Sequence, residues 1–333
     1  MGTCNSRSKD MVKKLFNFGV RKKKGVFYTV TALLLMSVFL FSFMSIIKYR
    51  YSTKAFAIET RVNTINEFIT DVERDVQRAV YITSYRSVLS MTSIVVSNQE
   101  YIDDVNTRFQ ALFFNGTYEG NVTGFMKDNS FNYWEQKIKQ KATELDINIE
   151  FTDKKASINQ DDPWHIKSVL NFTLLIGDVK GTANFTKKYS IEAKVPIEFF
   201  EDPTYRLNTN GLVIKPILIQ NNTNFVSGTN TTNLQRHNNE TRYIAFKAAP
   251  SYLKRLEGDL TADANGIESL VNIDEFVINE FNVSDKSIVD YVYFGNENPN
   301  TYHVNGLQNW FKIDNQTDGN ISHLQLYQVG GLI

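Results

Sequence analysis

From Val26 to Ile47 the chain runs 22 residues without a charged side chain. Coiled as a helix, such a run rises about 33 Å, close to the thickness of a bilayer's hydrocarbon core. The pattern then changes from uniformly apolar to striped. Val62, Ile65, Phe68, Ile69, Val72, Val76, Ala79 and Val80 recur at steps of three and four, while Glu67, Asp71, Glu73, Arg74, Asp75 and Arg78 fill the opposite face. Neither Pro nor Gly interrupts between Val26 and Ser97, so one helix is expected to carry both stretches.

Two shorter helices are expected next. "NQEYIDDVNTRFQALFF" offers Asn98 as its cap, and "NYWEQKIKQKATELD" places Trp134, Ile138 and Leu145 on one side. The period then falls to two. "IKSVLNFTLLIGD" and "TANFTKKYSIEAKVPIEF" alternate apolar with polar residues and predict strands, joined by a turn at residues 177–181. "GLVIKPILIQ" predicts a further strand, pushed to an edge or a bulge by Pro216, and "RYIAFKA" another. "PSYLKRLEGDL" and "SDKSIVDYVYFG" predict short helices, the second capped by Ser284 or Asp285. Residues 221–241 are almost wholly polar and read as a mobile surface loop.

The resulting fold class is α+β. A basic tail (1–25) precedes a transmembrane helix (26–47), its amphipathic continuation (48–97), a helical neck (98–146) and a mainly antiparallel β head (147–333).

Charge gives the apolar run a direction. The 36 basic and 36 acidic residues balance overall, yet residues 1–25 hold eight Lys/Arg against the single acid Asp10. Residues 55–333 hold 25 basic and 35 acidic side chains. Basic flanks stay in the cytoplasm, which predicts one span with the N-terminus inside and the head outside, in the cell membrane. An acidic head also argues against nucleic acid as a partner. A cleaved secretory signal fits less well, because its apolar core is usually about 7–15 residues. The nearest small-x-small site, Ala55-Phe56-Ala57, lies beyond Lys48, Arg50 and Lys54.

Two features agree with an outside head. Asn-x-Ser/Thr sequons stand at Asn115, Asn121, Asn171, Asn184, Asn221, Asn230, Asn239, Asn282, Asn315 and Asn320, and none precedes the apolar run. The one cysteine, Cys4, falls in the cytoplasmic tail, so the head has no disulfide framework. Sequons without cysteine fit an archaeal cell surface. "MGTCNS" formally matches a myristoylation pattern, with Cys4 as a second acyl site, although a transmembrane helix makes a lipid anchor redundant.

Catalytic motifs are not expected. His165, His237, His303 and His323 lack metal spacing, and neither a G-x-S-x-G elbow nor a phosphate-binding glycine loop occurs. "DDPWH" (residues 161–165) reads as a turn. "DNQTDGNIS" sets Asp314, Gln316 and Asp318 at the first, third and fifth places of an EF-hand-like calcium loop, with Gln325 where the bidentate Glu belongs. "DLTADANGIES" is a weaker version. No enzyme and no cofactor are expected.

"KKKG" directly before "VFYTVTALLLMSVFLFSF" resembles the class III signal of archaeal type IV pilin-like proteins. The resemblance implies cleavage between Gly25 and Val26 and packing of the apolar helix against itself or other pilin-like subunits. Val30 stands where such proteins commonly carry Glu. More broadly, "VERDVQRAVYITSYRSVL", "VPIEFFEDPTY" and "APSYLKRLEGDL" with "GIESLV" resemble segments of uncharacterised membrane-anchored archaeal surface proteins. The expected function is a single-pass, glycosylated surface protein with a structural or adhesive role, in contact with the lipid bilayer. The alternatives are a sensory or ligand-binding ectodomain working through a membrane partner and, third, a surface hydrolase.

Overall fold

The computed structural model describes the backbone of residues 7–181 and 183–333, and side chains from Gly25 onward. It is a mixed α+β chain: a long N-terminal apolar helix followed by mainly antiparallel sheets. Compactness divides the chain after Glu67, leaving Phe68–Ile333 as the second unit.

The helix α1 (Arg7–Asn98) is unbroken. In the first unit all sixteen bulky apolar side chains from Val26 to Ile47 are exposed. Thr29, Thr31 and Ser37 return their hydroxyl protons to Val26 O, Phe27 O and Leu34 O at 2.7–2.8 Å. These hydroxyls therefore present no unsatisfied donor to a surrounding apolar medium.

Within the second unit the same helix becomes a core element. Val72, Val76, Val80, Val88, Met91 and Val95 are buried, so the stripe reaches fifteen residues beyond Val80. Ser84, Ser87 and Ser90 are buried on it as well, and their small size admits close neighbours. Asp75 accepts from Trp134 Nε1 at 2.8 Å, Tyr85 meets Phe200 edge-on, and Thr92 bonds Tyr252 Oη at 2.6 Å.

The segment expected to form a neck is part of the core instead. α2 (Val105–Asn115) starts six residues later than expected, because Asn98 ends α1 and Asp104 is the actual cap, accepting from Thr107 N at 3.0 Å. Gly116, at φ +72°, closes it in the left-handed conformation that costs a glycine little. A short pair, β1 (Thr117–Tyr118) and β2 (Asn121–Val122), leads to α3 (Phe131–Glu144), capped by Ser130. Both helices pack on the sheet that follows. Leu145, expected on the buried side of α3, lies past its end and is exposed.

That sheet is the antiparallel meander β3 (Ile147–Asp162), β4 (His165–Asp178) and β5 (Asn184–Pro196). Alternation puts Ile147, Ile149, Phe151, Leu170, Phe172, Leu174 and Val195 on the buried face. An aromatic row crosses it: Phe113, Phe131, Trp134, Phe151, Phe172 and Tyr189 follow with ring centroids 5.1–5.5 Å apart. Tyr189 Oη ends the row by donating to Glu73 on α1, and that bond, with the Lys187 ammonium, holds the Glu73 carboxyl below its ordinary range. "DDPWH" is the β3–β4 turn, with Asp162 accepting from Trp164 N and facing His165 Nδ1.

The rest is built from short pieces. After α4 (Pro203–Asn208), only β6 (Leu218–Ile219) of the expected 211–220 strand is regular, and Pro216 forms an isolated bridge to Glu201. Residues 221–241 are not the exposed loop expected. They contain α5 (Thr232–Asn239) and bury Phe225, Leu234, His237 and Asn238. β7 (Arg242–Ala245) pairs parallel with β6 and antiparallel with β8 (Ile267–Glu268), with α6 (Tyr252–Glu257) between them. α7 (Ile273–Ile278) precedes α8 (Asp290–Phe294), which begins at Asp290 rather than at Ser284 or Asp285 because the intervening chain bridges Leu270 to Val289. A hairpin, β9 (Thr301–His303) and β10 (Lys312–Asp314), and α9 (His323–Leu326) complete the chain.

Candidate functional site

Among the described residues, one helix is long and apolar enough to cross a membrane, and its most apolar window has no buried residue. Gly25 and Val26, the pair at which processing is expected, lie within α1 at the start of the apolar run, and Val26 is exposed. Cys4 and the "MGTCNS" pattern lie outside the described residues.

All ten sequon asparagines are exposed. They sit on unrelated elements: Asn115 ends α2, Asn121 opens β2, Asn171 is mid-β4, Asn184 opens β5 and Asn239 ends α5. Asn221, Asn230, Asn282, Asn315 and Asn320 lie between elements. Asn171 is the informative one, because mid-strand it sits on the outward face of a sheet whose inward face is core.

The calcium loop does not converge. Asp314 is wholly buried, with Oδ1 2.6 Å from His323 Nδ1 and accepting from Gln316 N at 2.8 Å. The Gln316 amide turns to Glu297, and Asp318 Oδ1 caps its own turn by accepting from Asn320 N and Ile321 N. Three ligands with three different partners leave no shared centre, and no metal-ligating group of three acids, His or Cys occurs among the described residues. In "DLTADANGIES", Asp259 and Asp263 likewise cap local turns, accepting from Thr261 N and Asn265 N.

What Asp314 belongs to is a buried ion cluster. His323 Nε2 lies 3.0 Å from Glu268 Oε2 and 3.2 Å from Tyr291 Oη, and Tyr327 Oη donates to Glu268 Oε1 at 2.8 Å. Burial alone would push the imidazole down, but Glu268 and Asp314 on opposite sides outweigh it and hold His323 up to about 10. The ring is an imidazolium clamped between two carboxylates.

A second cluster surrounds Arg255 on α6. Its Nη1 lies 2.8 Å from Asp202 Oδ2 and 3.1 Å from Asp290 Oδ2, all three side chains being 0% exposed. Tyr243 Oη also donates to Asp202, and Ser269 N and Oγ to Asp290. Burial raises the Asp290 carboxyl first, against the pull of Arg255, and the nearby Asp202 raises it further, to about 6. Glu268 and Ser269 are adjacent on the chain, as are Asp290 and Tyr291, so each pair ties the two clusters together.

His237 shows the opposite environment. It sits among Phe225 at 4.9 Å and Tyr327 at 5.8 Å between ring centroids, with neither nitrogen bonded to a protein group. Burial, with Arg242 adding repulsion, lowers it to about 3, so it stays neutral.

None of these clusters offers a solvent-facing nucleophile beside a base, since His323, Arg255 and their carboxylates are sealed. Their chemistry is structural. Only Asp202 carried a readable local signal: Asp before Pro203 is a helix-start pattern, and Asp202 does cap α4, accepting from Thr204 N at 2.8 Å. No family model, curated protein or solved structure matches this chain.

Proposed function

We propose that this is a single-pass, glycosylated cell-surface protein with a structural or adhesive role. Val26–Ile47 spans the bilayer with the basic tail in the cytoplasm, and the second unit faces the medium. The observation that carries the reading is the uncharged 22-residue run whose bulky side chains are all exposed. In water that surface is unfavourable by roughly 25 cal/mol per Å², whereas lipid accepts it. Ten exposed sequons, none of them preceding the run, support the outside placement of the head. The sequence before the run supports a pilin-like descent.

Mass spectrometry of the native N-terminus tests the pilin-like part. A mature chain beginning at Val26 is expected if the bond after Gly25 is processed. An intact N-terminus removes the filament version and leaves an anchored monomer. Glycopeptide mapping on whole cells tests orientation, with sugar expected on Asn171 and Asn239; release of the chain by alkaline carbonate would overturn the span.

A further inference from the structure

A cleft of about 720 Å³ opens in the second unit, where α4, α6 and α8 meet the segment after β10. Its walls combine three aromatic rings, Tyr101, Tyr291 and Phe294, with the neutral or singly acidic groups of Asn208, Glu297 and Gln316. Two of these rings are fixed from behind. Tyr101 Oη accepts from Asn208 Nδ2 at 3.2 Å, and Tyr291 Oη is bonded to the clamped His323. Gly258 lets the Tyr101 ring lie where it does, because a Cβ there would stand 2.6 Å from Tyr101 Cδ2, and its φ of +72° disfavours any other residue. At the rim Gln316 donates its amide to Glu297, which is exposed.

The lining selects a class of ligand. It contains no Lys or Arg among the described residues, so a phosphate or carboxylate would find no counter-charge. Two lysines reach its edge already engaged: Lys254 bonds Thr261 Oγ1 and Ala262 O, and Lys286 bonds Gly295 O. Asn208 already donates its amide to Tyr101 and Thr204, and Gln316 to Glu297. A ligand therefore meets their carbonyl oxygens and the Glu297 carboxylate, acceptors that a purely apolar ligand would desolvate without replacement. A neutral sugar meets both demands. Its C–H face lies against the electron-rich faces of aromatic rings, while its hydroxyls bond carboxamides and a carboxylate.

We propose that this cleft binds a neutral saccharide. Two sources share that chemistry. Thr317, the third residue of the Asn315 sequon, lines the cleft beside Gln316, so a glycan on exposed Asn315 would begin at its mouth. A glycan of a neighbouring molecule or surface is the other source. The inference rests on and deepens the adhesive reading, and its failure would leave the N-terminal mass and the glycopeptide map unchanged, so the two fail separately.

The test uses the full chain, purified from its own cells into lipid nanodiscs free of sugar detergent and titrated with N,N′-diacetylchitobiose by saturation-transfer NMR. Glucuronic acid serves as the charged control. Binding of chitobiose but not glucuronate is expected, weakened about tenfold in Glu297→Ala, which removes an exposed acceptor without touching the core. Gly258→Ala is expected to abolish binding by displacing Tyr101. Binding by wild type points to an external glycan. Binding by Asn315→Gln alone assigns the seat to the chain's own sugar. No binding by either, preference for glucuronate, or indifference to Glu297→Ala would each overturn the proposal.

Discussion

The meander β3–β5 and the chain from Pro203 to the C-terminus solve the same problem by different means. In the meander, thirteen- to sixteen-residue strands pair their own backbone groups, and one face of alternating side chains makes the core. The later region has no strand longer than four residues and no helix longer than eight. Backbone polarity that no ladder absorbs must then be met by side chains. Arg255 Nη2 on Ile267 O and Asn238 Nδ2 on Val271 O at 3.0 Å are instances. The meander is held by what it hides from water. The later region also depends on charges it hides together.

The comparison breaks most visibly at Arg255. Arg255→Met leaves Asp202 and Asp290 buried without their cation and is expected to cost about 3–5 kcal/mol, read as a fall in melting temperature. Leu170→Ala in β4 removes only packing and is expected to cost about 3 kcal/mol with no pH dependence of its own. A Leu170→Ala loss that varied with pH would blur the distinction.

The two histidines sharpen it. His323 is raised, so its contribution is complete below its ordinary 6.5 and is lost as pH rises through about 10. His237 is lowered, so its effect runs the other way: stability is lost as pH falls from 6.5 towards 3. Melting temperature against pH should therefore fall on both sides of neutrality. His323→Gln should flatten the alkaline limb and His237→Phe the acid limb. A variant that lowers both limbs equally would show a packing role only. Smaller effects close the series. Asp104→Ala, losing the α2 cap, is expected to cost about 1 kcal/mol in a denaturant titration. Asn171→Gln, on the outward face of β4, should stay within about 0.5 kcal/mol.

The same contrast explains what was legible. Period two is a local signal, and β4 and β5 followed it to within a few residues, as the 161–165 segment followed its turn signal. The apolar run was legible for the same reason, since length and lack of charge need no tertiary partner. β3, the longest strand, was not anticipated, because the polar run Thr152–Lys155 and its bulge break the alternation. Residues 221–241 looked solvated because Phe225, Leu234 and His237 are scattered among polar neighbours. Phe225 and His237 pack on Tyr327, some ninety to a hundred positions later, which no window contains. Asn98 looked like a cap because Asn is a capping residue, but α1 was still using it as its last turn while Asp104 took the role. Asp314 and Asp318 looked like a cation loop because acids spaced by two are what such loops need. The spacing could not reveal that His323 would supply the positive charge instead. Arg255 sits on a six-residue helix with nothing nearby to distinguish a buried guanidinium from a solvated one.

The Arg255 cluster also has a consequence for how the later region assembles. Arg255 draws on Asp202, 53 positions earlier, and Asp290, 35 later, while His323 draws on Glu268, 55 earlier. Each acid arrives on a different short element, and none has a counter-ion until the others are present. Such distant partners close only after most of the loop entropy has been spent. Residues 202–323 are therefore expected to open together, which hydrogen exchange would read as one shared level of protection across them.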